Sequence, residues 1–182
     1  MNICVFLSAA NVDERYGAPS REFAHLIGAA GHTLVWGGSD MGLMKVVADG
    51  VQAAGGRLYG VSVDFLSHLA RPDADIMIVA GDLGERKARM LDAADAIVTL
   101  VGGSGTLDEF TDVFELKKQG KHDKPLVVIN TGGFYDGLRA QLRHMESEGF
   151  LPRPLDDLVN FVATGRDALE YLDRALAAAR QQ

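Results

Sequence analysis

Apolar residues recur in short, β-branched runs separated by longer stretches with helical periodicity. The runs are Ile3–Leu7, Thr33–Trp36, Leu58–Val63, Ile76–Val79, Ala96–Leu100 and Leu126–Ile129. Because they are apolar at successive positions rather than alternate ones, they read as strands covered on both faces. Between them, amphipathic spacing predicts helices over about Pro19–Ala30, Gly42–Ala54, Leu83–Ala93, Leu107–Gln119 and Tyr135–Glu148, with a last one near Arg166–Ala179. Strands alternating with helices give an α/β fold, an open parallel sheet of about six to seven strands with helices on both faces. Asp64–Asp75 interrupts the alternation. It is rich in Pro, Ala and Asp, and it reads as a mobile flap beside the site. Pro152 and Pro154 separate the last helical pair, and no linker, charge block or repeat marks a second domain.

Composition narrows the picture. The chain has 182 residues, 47% hydrophobic and 24% charged, which suits one ordinary domain spanning residues 1–182. A net charge of −7 argues against a nucleic-acid or anionic-membrane surface, but it leaves room for one phosphate in a local pocket. Cys4, the one cysteine, lies inside an apolar run and reads as a buried, inert thiol. No segment approaches about 18 consecutive apolar residues, and no basic N-terminal region precedes an apolar stretch. The reading is a cytoplasmic protein with no membrane partner.

Ligands of open parallel sheets bind beyond the carboxyl ends of the strands. That rule selects four connections: Ser8–Gly17, Gly37–Gly42, Ala80–Asp82 and Val101–Thr106. The first lacks G-x-G-x-x-G and the second has the wrong spacing, which disfavours NAD; G-x-x-x-x-G-K-[ST] is absent, which disfavours a P-loop nucleotidase. In Gly102-Gly103-Ser104-Gly105-Thr106, glycines let the backbone approach an anion at a helix start, with the Thr106 hydroxyl beside it. An alternative stands next to that one, a structural T-x-x-E capping box between Thr106 and Glu109. Gly37-Gly38-Ser39 can present amides and a hydroxyl to a ribose or phosphate, or serve as turn geometry alone. Arg86, Lys87 and Arg89 sit early in a helix, where the dipole disfavours cations; they face an anion or form a solvated face with Glu85 paired to Arg89. His25, His32, His68, His122 and His144 show no metal-ligand spacing, and Trp36, at the end of an apolar strand, reads as packing or as an edge bordering a base. No cofactor and no metal are indicated.

Taken in order, these segments resemble the Lonely Guy family of cytokinin-activating phosphoribohydrolases, also labelled lysine decarboxylase-like. The family signature P-G-G-x-G-T-x-x-E appears here as Val101-Gly102-Gly103-Ser104-Gly105-Thr106-Leu107-Asp108-Glu109. Upstream, G-G-x-x-x-G-L-M is present at Gly37–Met44 and R-K-x-x-M at Arg86–Met90. Lys124-Pro125, Asn130, Gly133–Asp136 and Glu148–Phe150 extend the likeness to nearly the whole chain.

The resemblance implies a homodimeric, Rossmann-like nucleotide-binding domain. It also implies hydrolysis of a nucleoside 5′-monophosphate, typically N6-modified AMP, to free base and ribose 5-phosphate. The motif arginine and glutamate fall on Arg86 and Glu109, expected to be catalytic, with the carboxylate stabilising an oxocarbenium-like sugar or activating water. Ser8, Gly37, Gly38, Ser39, Lys87, Met90, Gly102, Gly103, Ser104, Gly105 and Thr106 are expected to bind substrate. Asp108 is expected to point about 100° away from Glu109 around the helix. Val101 replaces the motif proline, Leu83-Gly84 stands where many relatives have Met-His, Lys45 where they have glycine, and Leu7–Asn11 lacks C-G-S-S. Two other classes compete: a non-catalytic nucleotide carrier or sensor of related fold, and amino-acid decarboxylation, which calls for a pyridoxal-binding lysine that nothing in the sequence identifies.

Overall fold

A computed structural model describes residues 1–179. Seven strands form one sheet: β1 (Asn2–Phe6), β2 (Thr33–Trp36), β3 (Arg57–Val63), β4 (Ile76–Ala80), β5 (Ala96–Thr99), β6 (Leu126–Ile129) and β7 (Asn160–Val162). The spatial order is β4-β3-β2-β1-β5-β6-β7, and every pairing is parallel. The connecting helices are α1 (Glu14–Ala29), α2 (Gly42–Ala53), α3 (Leu83–Ala93), α4 (Ser104–Lys118), α5 (Asp136–Ser147), the single turn α6 (Leu155–Leu158) and α7 (Gly165–Ala179).

The period-two alternation of side chains divides the core. Ile3, Val5, Leu34, Trp36, Val98 and Val127 pack under α1, α2 and α7. Their neighbours Cys4, Phe6, Val35, Ile97 and Val128 pack under α3, α4, α5 and α6. Because both faces are covered, nearly every position of the central strands is apolar, which is the pattern the sequence displays.

Three local expectations shift. The first helix begins at Glu14 rather than Pro19, because the Asp13 carboxylate accepts from the Arg15 N–H at 2.9 Å and caps it; Pro19 lies inside. The fourth helix begins at Ser104 rather than Leu107, with Gly103 as its cap. Thr106 therefore sits within the first turn, and the proposed capping box with Glu109 does not form. Asp64–Asp75 contains a 3-10 helix, Asp64–Leu69, tied back to the second glycine turn. The Arg71 N–H donates to the Gly38 carbonyl and the Asp40 N–H to the Leu69 carbonyl, each at 2.8 Å. The Arg71 side chain is buried among Asp40, Asp49 and Asp73 at 3.2, 2.5 and 2.7 Å.

The strand order reverses at β1, whose neighbours are β2 on one side and β5 on the other. Loops leaving β1 and β5 diverge there, opening the crevice in which such sheets bind ligands. The two loops are joined at their base, where the Ser8 N–H donates to the Val101 carbonyl at 3.2 Å.

Candidate active site

The chain leaves β5 into Gly102 and Gly103 and turns at once into α4. A methyl group at Gly102 would overlap the Thr106 hydroxyl, so glycine is what lets the first turn close against the strand exit. Gly103, Ser104 and Gly105 are exposed and Thr106 is buried. The first helical bond in this turn runs from the Leu107 N–H to the Gly103 carbonyl, which leaves the preceding amides free for an anion at the positive end of the dipole.

One turn further along α4, Glu109 is 5% exposed, unusual burial for a carboxylate. Its Oε1 accepts from Arg86 Nη1 at 2.6 Å, and Arg86 Nε donates to the Val61 carbonyl at 2.9 Å. The guanidinium lies against Gly37, where any Cβ would collide with it. Burial raises the Glu109 pKa above the usual glutamate value, and the Arg86 charge opposes that rise. Lys87 sits at the rim and pairs with Asp108 at 3.2 Å and Asp112 at 3.5 Å. Desolvation pushes its ammonium down, but the two carboxylates outweigh that and hold it above the ordinary lysine value.

These groups line a cavity of about 440 Å³, a size suited to a small molecule. It brings together Ser8, Arg86, Lys87, Gly103, Ser104, Gly105, Thr106 and Glu109, with Asp108 at its edge. Gly37 and Ser39 lie deeper, in an inner chamber of about 150 Å³ that shares Ala9, Met44, Leu66 and Arg86 with the main cavity. Gly102 faces a separate lobe with Ser8, Tyr16 and Phe134. Two expected ligand contacts are corrected. Met90 is 0% exposed and packs with Cys4, Phe6 and Phe110 in the core, so it has no surface to offer a substrate. Gly38 is buried against Met77, and its role is to receive the Arg71 amide.

Sequence reading missed the apolar wall: Leu7, Ala9, Met44, Phe65, Leu66 and Leu83. The break in alternation after β3 was the signal for Phe65 and Leu66. Tyr135 was missed as a support; its hydroxyl is buried and donates to the Leu100 carbonyl at 2.7 Å, bracing the exit of β5. Among the described residues no cluster of His, Cys, Asp or Glu is arranged to hold a metal ion. No helix among them is long and apolar enough to cross a membrane.

A helix start with open amides and a buried acid at the reversal point of a parallel sheet define a Rossmann-like α/β domain. Comparison with known proteins sharpens that class. Residues 44–172 match the family model described as possible lysine decarboxylase. A cytokinin riboside 5′-monophosphate phosphoribohydrolase of Mycobacterium marinum is 41% identical over 155 residues, 82% of this chain and 83% of the relative. Its counterpart in Mycobacterium tuberculosis is 42% identical over 155 residues, covering 81% and 82%. The chain belongs to this lysine decarboxylase-like, Lonely Guy family.

Among solved structures, the molybdenum cofactor binding protein of Rippkaea orientalis superposes with a TM-score of 0.73 at 20% identity over 96% of each chain. The molybdenum cofactor carrier protein of Chlamydomonas reinhardtii gives 0.70 at 24% identity, covering 97% of this chain and 98% of its own. At these identities the likeness establishes the fold.

Proposed function

We propose that this chain is a phosphoribohydrolase that cleaves the N-glycosidic bond of a nucleoside 5′-monophosphate, an N6-modified AMP such as a cytokinin riboside monophosphate, or AMP itself. Water adds at C1′ of the ribose and the base departs with a proton, leaving ribose 5-phosphate. The observation that carries the reading is the placement of a buried carboxylate, Glu109, one helical turn beyond the open amides of Gly103–Thr106. That turn advances the helix about 5.4 Å, so a phosphate on the amides brings the sugar beside the carboxylate. Glu109 then stabilises the cationic sugar or activates the water, and Arg86 orients it. Lys87 adds positive charge at the phosphate end.

The names borne by the mycobacterial relatives support the same reaction. The word decarboxylase in the family description finds no such support. Lys87 is the lysine that lines the cavity, and its raised pKa is opposite to what imine formation needs. A non-catalytic nucleotide carrier rests on fold likeness alone.

We further place the protein in the cytoplasm as a homodimer. Ile76 and Val79 are exposed apolar side chains on the edge strand β4 and are available for self-association, and light scattering across a concentration series tests it.

The deciding experiment incubates the protein with AMP, N6-isopentenyl-AMP, CMP and GMP and follows free base and ribose 5-phosphate. Release of base from the adenine nucleotides supports the reading. Tight binding without release overturns it in favour of the carrier.

A further inference from the structure

The exit of β5, which leads straight into the turn at Gly102–Thr106, is held by three hydrogen bonds. The Leu100 N–H donates to the Phe6 carbonyl at 2.9 Å, and the Ser8 N–H donates to the Val101 carbonyl at 3.2 Å. The third comes from a side chain: the Tyr135 hydroxyl donates to the Leu100 carbonyl at 2.7 Å. Burial raises the pKa of that phenol, and the Gly102 backbone beside it opposes the rise, so the oxygen sits against the residues on both sides of Val101.

Tyr135 is itself fixed from the exit of β6. Its N–H donates to Asn130 Oδ1 at 2.6 Å, and Asn130 Nδ2 donates to Asp136 Oδ1 at 2.7 Å. The Asn130 N–H donates to the Val162 carbonyl of β7 at 2.8 Å. Phe134 meets the Tyr135 ring edge-on at 4.8 Å and the Tyr16 ring edge-on at 5.5 Å. The Tyr135 ring is 3% exposed and packs in the core with Phe110 and Leu142. A hydroxyl whose ring is locked by packing and whose backbone is tied to a strand end sets the position of its acceptor rather than following it.

The two residues after Val101 are glycines, which impose little conformation of their own. A displaced strand exit is therefore carried directly into Gly103, the cap of α4, and into the open amides beyond it. Glu109 is insulated from the same movement, because Arg86 holds its carboxylate and the adjoining Phe110 is buried.

We propose that Tyr135 is a positioning residue for the substrate phosphate: its hydroxyl, anchored through Asn130, fixes the exit of β5 so that the amides of Gly103–Thr106 converge on the anion. This rests on the nucleotide reading given above. Tyr135 acts through the turn and touches no reacting atom.

The test uses Tyr135→Phe, which keeps the ring in the core and removes one oxygen. Calorimetric Kd for ribose 5-phosphate and KM for AMP are expected to rise about two- to tenfold, the worth of one neutral hydrogen bond, with a smaller change in kcat. The Kd for adenosine, which has no phosphate, stays at the wild-type value. General loosening of the fold weakens both ligands alike, whereas a misplaced phosphate turn weakens only the one that carries the anion. Asn130→Ala leaves the phenol in place and removes its anchor, so it reads the same split whether or not Tyr135→Phe folds. If AMP binds without being cleaved and ribose 5-phosphate still loses affinity in these variants, the hydrolase reading fails and this inference stands. It is overturned by an unchanged Kd for ribose 5-phosphate, by an equal loss for adenosine, by a fall in kcat with KM unmoved, or by failure of ribose 5-phosphate to bind the wild-type protein.

Discussion

Arg86 Nη1 meets Glu109 Oε1 at 2.6 Å, and the same guanidinium is anchored through Nε to the Val61 carbonyl in β3. The two side chains come from α3 and α4, which flank β5, so the pair joins both helices above the strand end. A carboxylate so buried is expensive to ionise alone. Arg86 offsets that cost, keeping a charged group available in the wall of the cavity.

Glu109→Gln removes the charge and keeps the shape. We expect kcat on AMP or N6-isopentenyl-AMP to fall by about 10²- to 10⁴-fold, the range of acid–base contributions, while calorimetric affinity for the nucleotide changes little. Full turnover in this variant rules out the carboxylate's role.

The pH dependence follows from the same pair. Burial raises the Glu109 pKa and Arg86 limits the rise, so the acid limb of kcat/KM lies above the ordinary glutamate value of about 4.3. Arg86→Met removes the opposing charge, and the limb moves to higher pH. Stability has the matching sign. A carboxyl raised in the fold contributes stability below its unfolded pKa and loses it as pH rises through the folded pKa. Glu109→Gln protein therefore gains on wild type in urea unfolding as pH increases across that window. A variant that loses ground over the same interval contradicts the assignment.

Much of this arrangement was legible along the chain, and the parts that were not have physical reasons. Strands such as Ile3–Leu7 announce themselves because both faces are buried, and the glycine turn before α4 because backbone geometry demands it. The start of α4 was misplaced because Gly103 caps it without any side-chain bond, leaving Thr106 as the conspicuous but wrong candidate. The Arg86–Glu109 contact spans 23 residues and is set by strand order, which no local period encodes. Met90 belongs to a recognisable motif yet faces the core, four residues from Arg86 on the same helix. Asp64–Asp75 looks like a loop because its order comes from Arg71 reaching Asp40 and Asp49, 31 and 22 residues away.

That last network gives a stability prediction. The Arg71 side chain is 6% exposed, whereas its carboxylate partners are 35% to 58% exposed, so the loss on removal is well below that of a fully buried pair. Arg71→Met should cost about 1–2 kcal/mol and lower Tm by roughly 2–8 °C in calorimetry. KM for nucleotide should rise too, because Phe65 and Leu66 lose their anchor. An unchanged Tm means that the 3-10 segment is held by its backbone bonds alone.

Gly102 offers a test of the phosphate turn independent of charge. A methyl there overlaps Thr106 Oγ1, and strand and helix cannot separate because Phe110 and Val113 are locked in the core. Thr106 and the amides beside it must shift instead. Gly102→Ala is expected to raise KM for nucleoside monophosphates by about ten- to a hundredfold, with a smaller change in kcat. Unaltered KM places the phosphate elsewhere.

The phosphate itself supplies the last prediction. In the proposed binding mode each open amide at Ser104, Gly105 and Thr106 makes a charge-assisted bond only when the ligand carries an anion, and such bonds are about twice as strong as neutral ones. Adenosine fills the same cavity but leaves those donors without a partner, and its ribose is no longer fixed beside Glu109. Binding at a remote group is thus converted into positioning at the reacting carbon, which lowers kcat as well as affinity for the truncated substrate. The kcat/KM for AMP should exceed that for adenosine by about 10²-fold or more, and ribose 5-phosphate should inhibit competitively. Comparable rates on the two substrates mean that the helix start contributes nothing to catalysis, and its glycines then serve only to close the turn between β5 and α4.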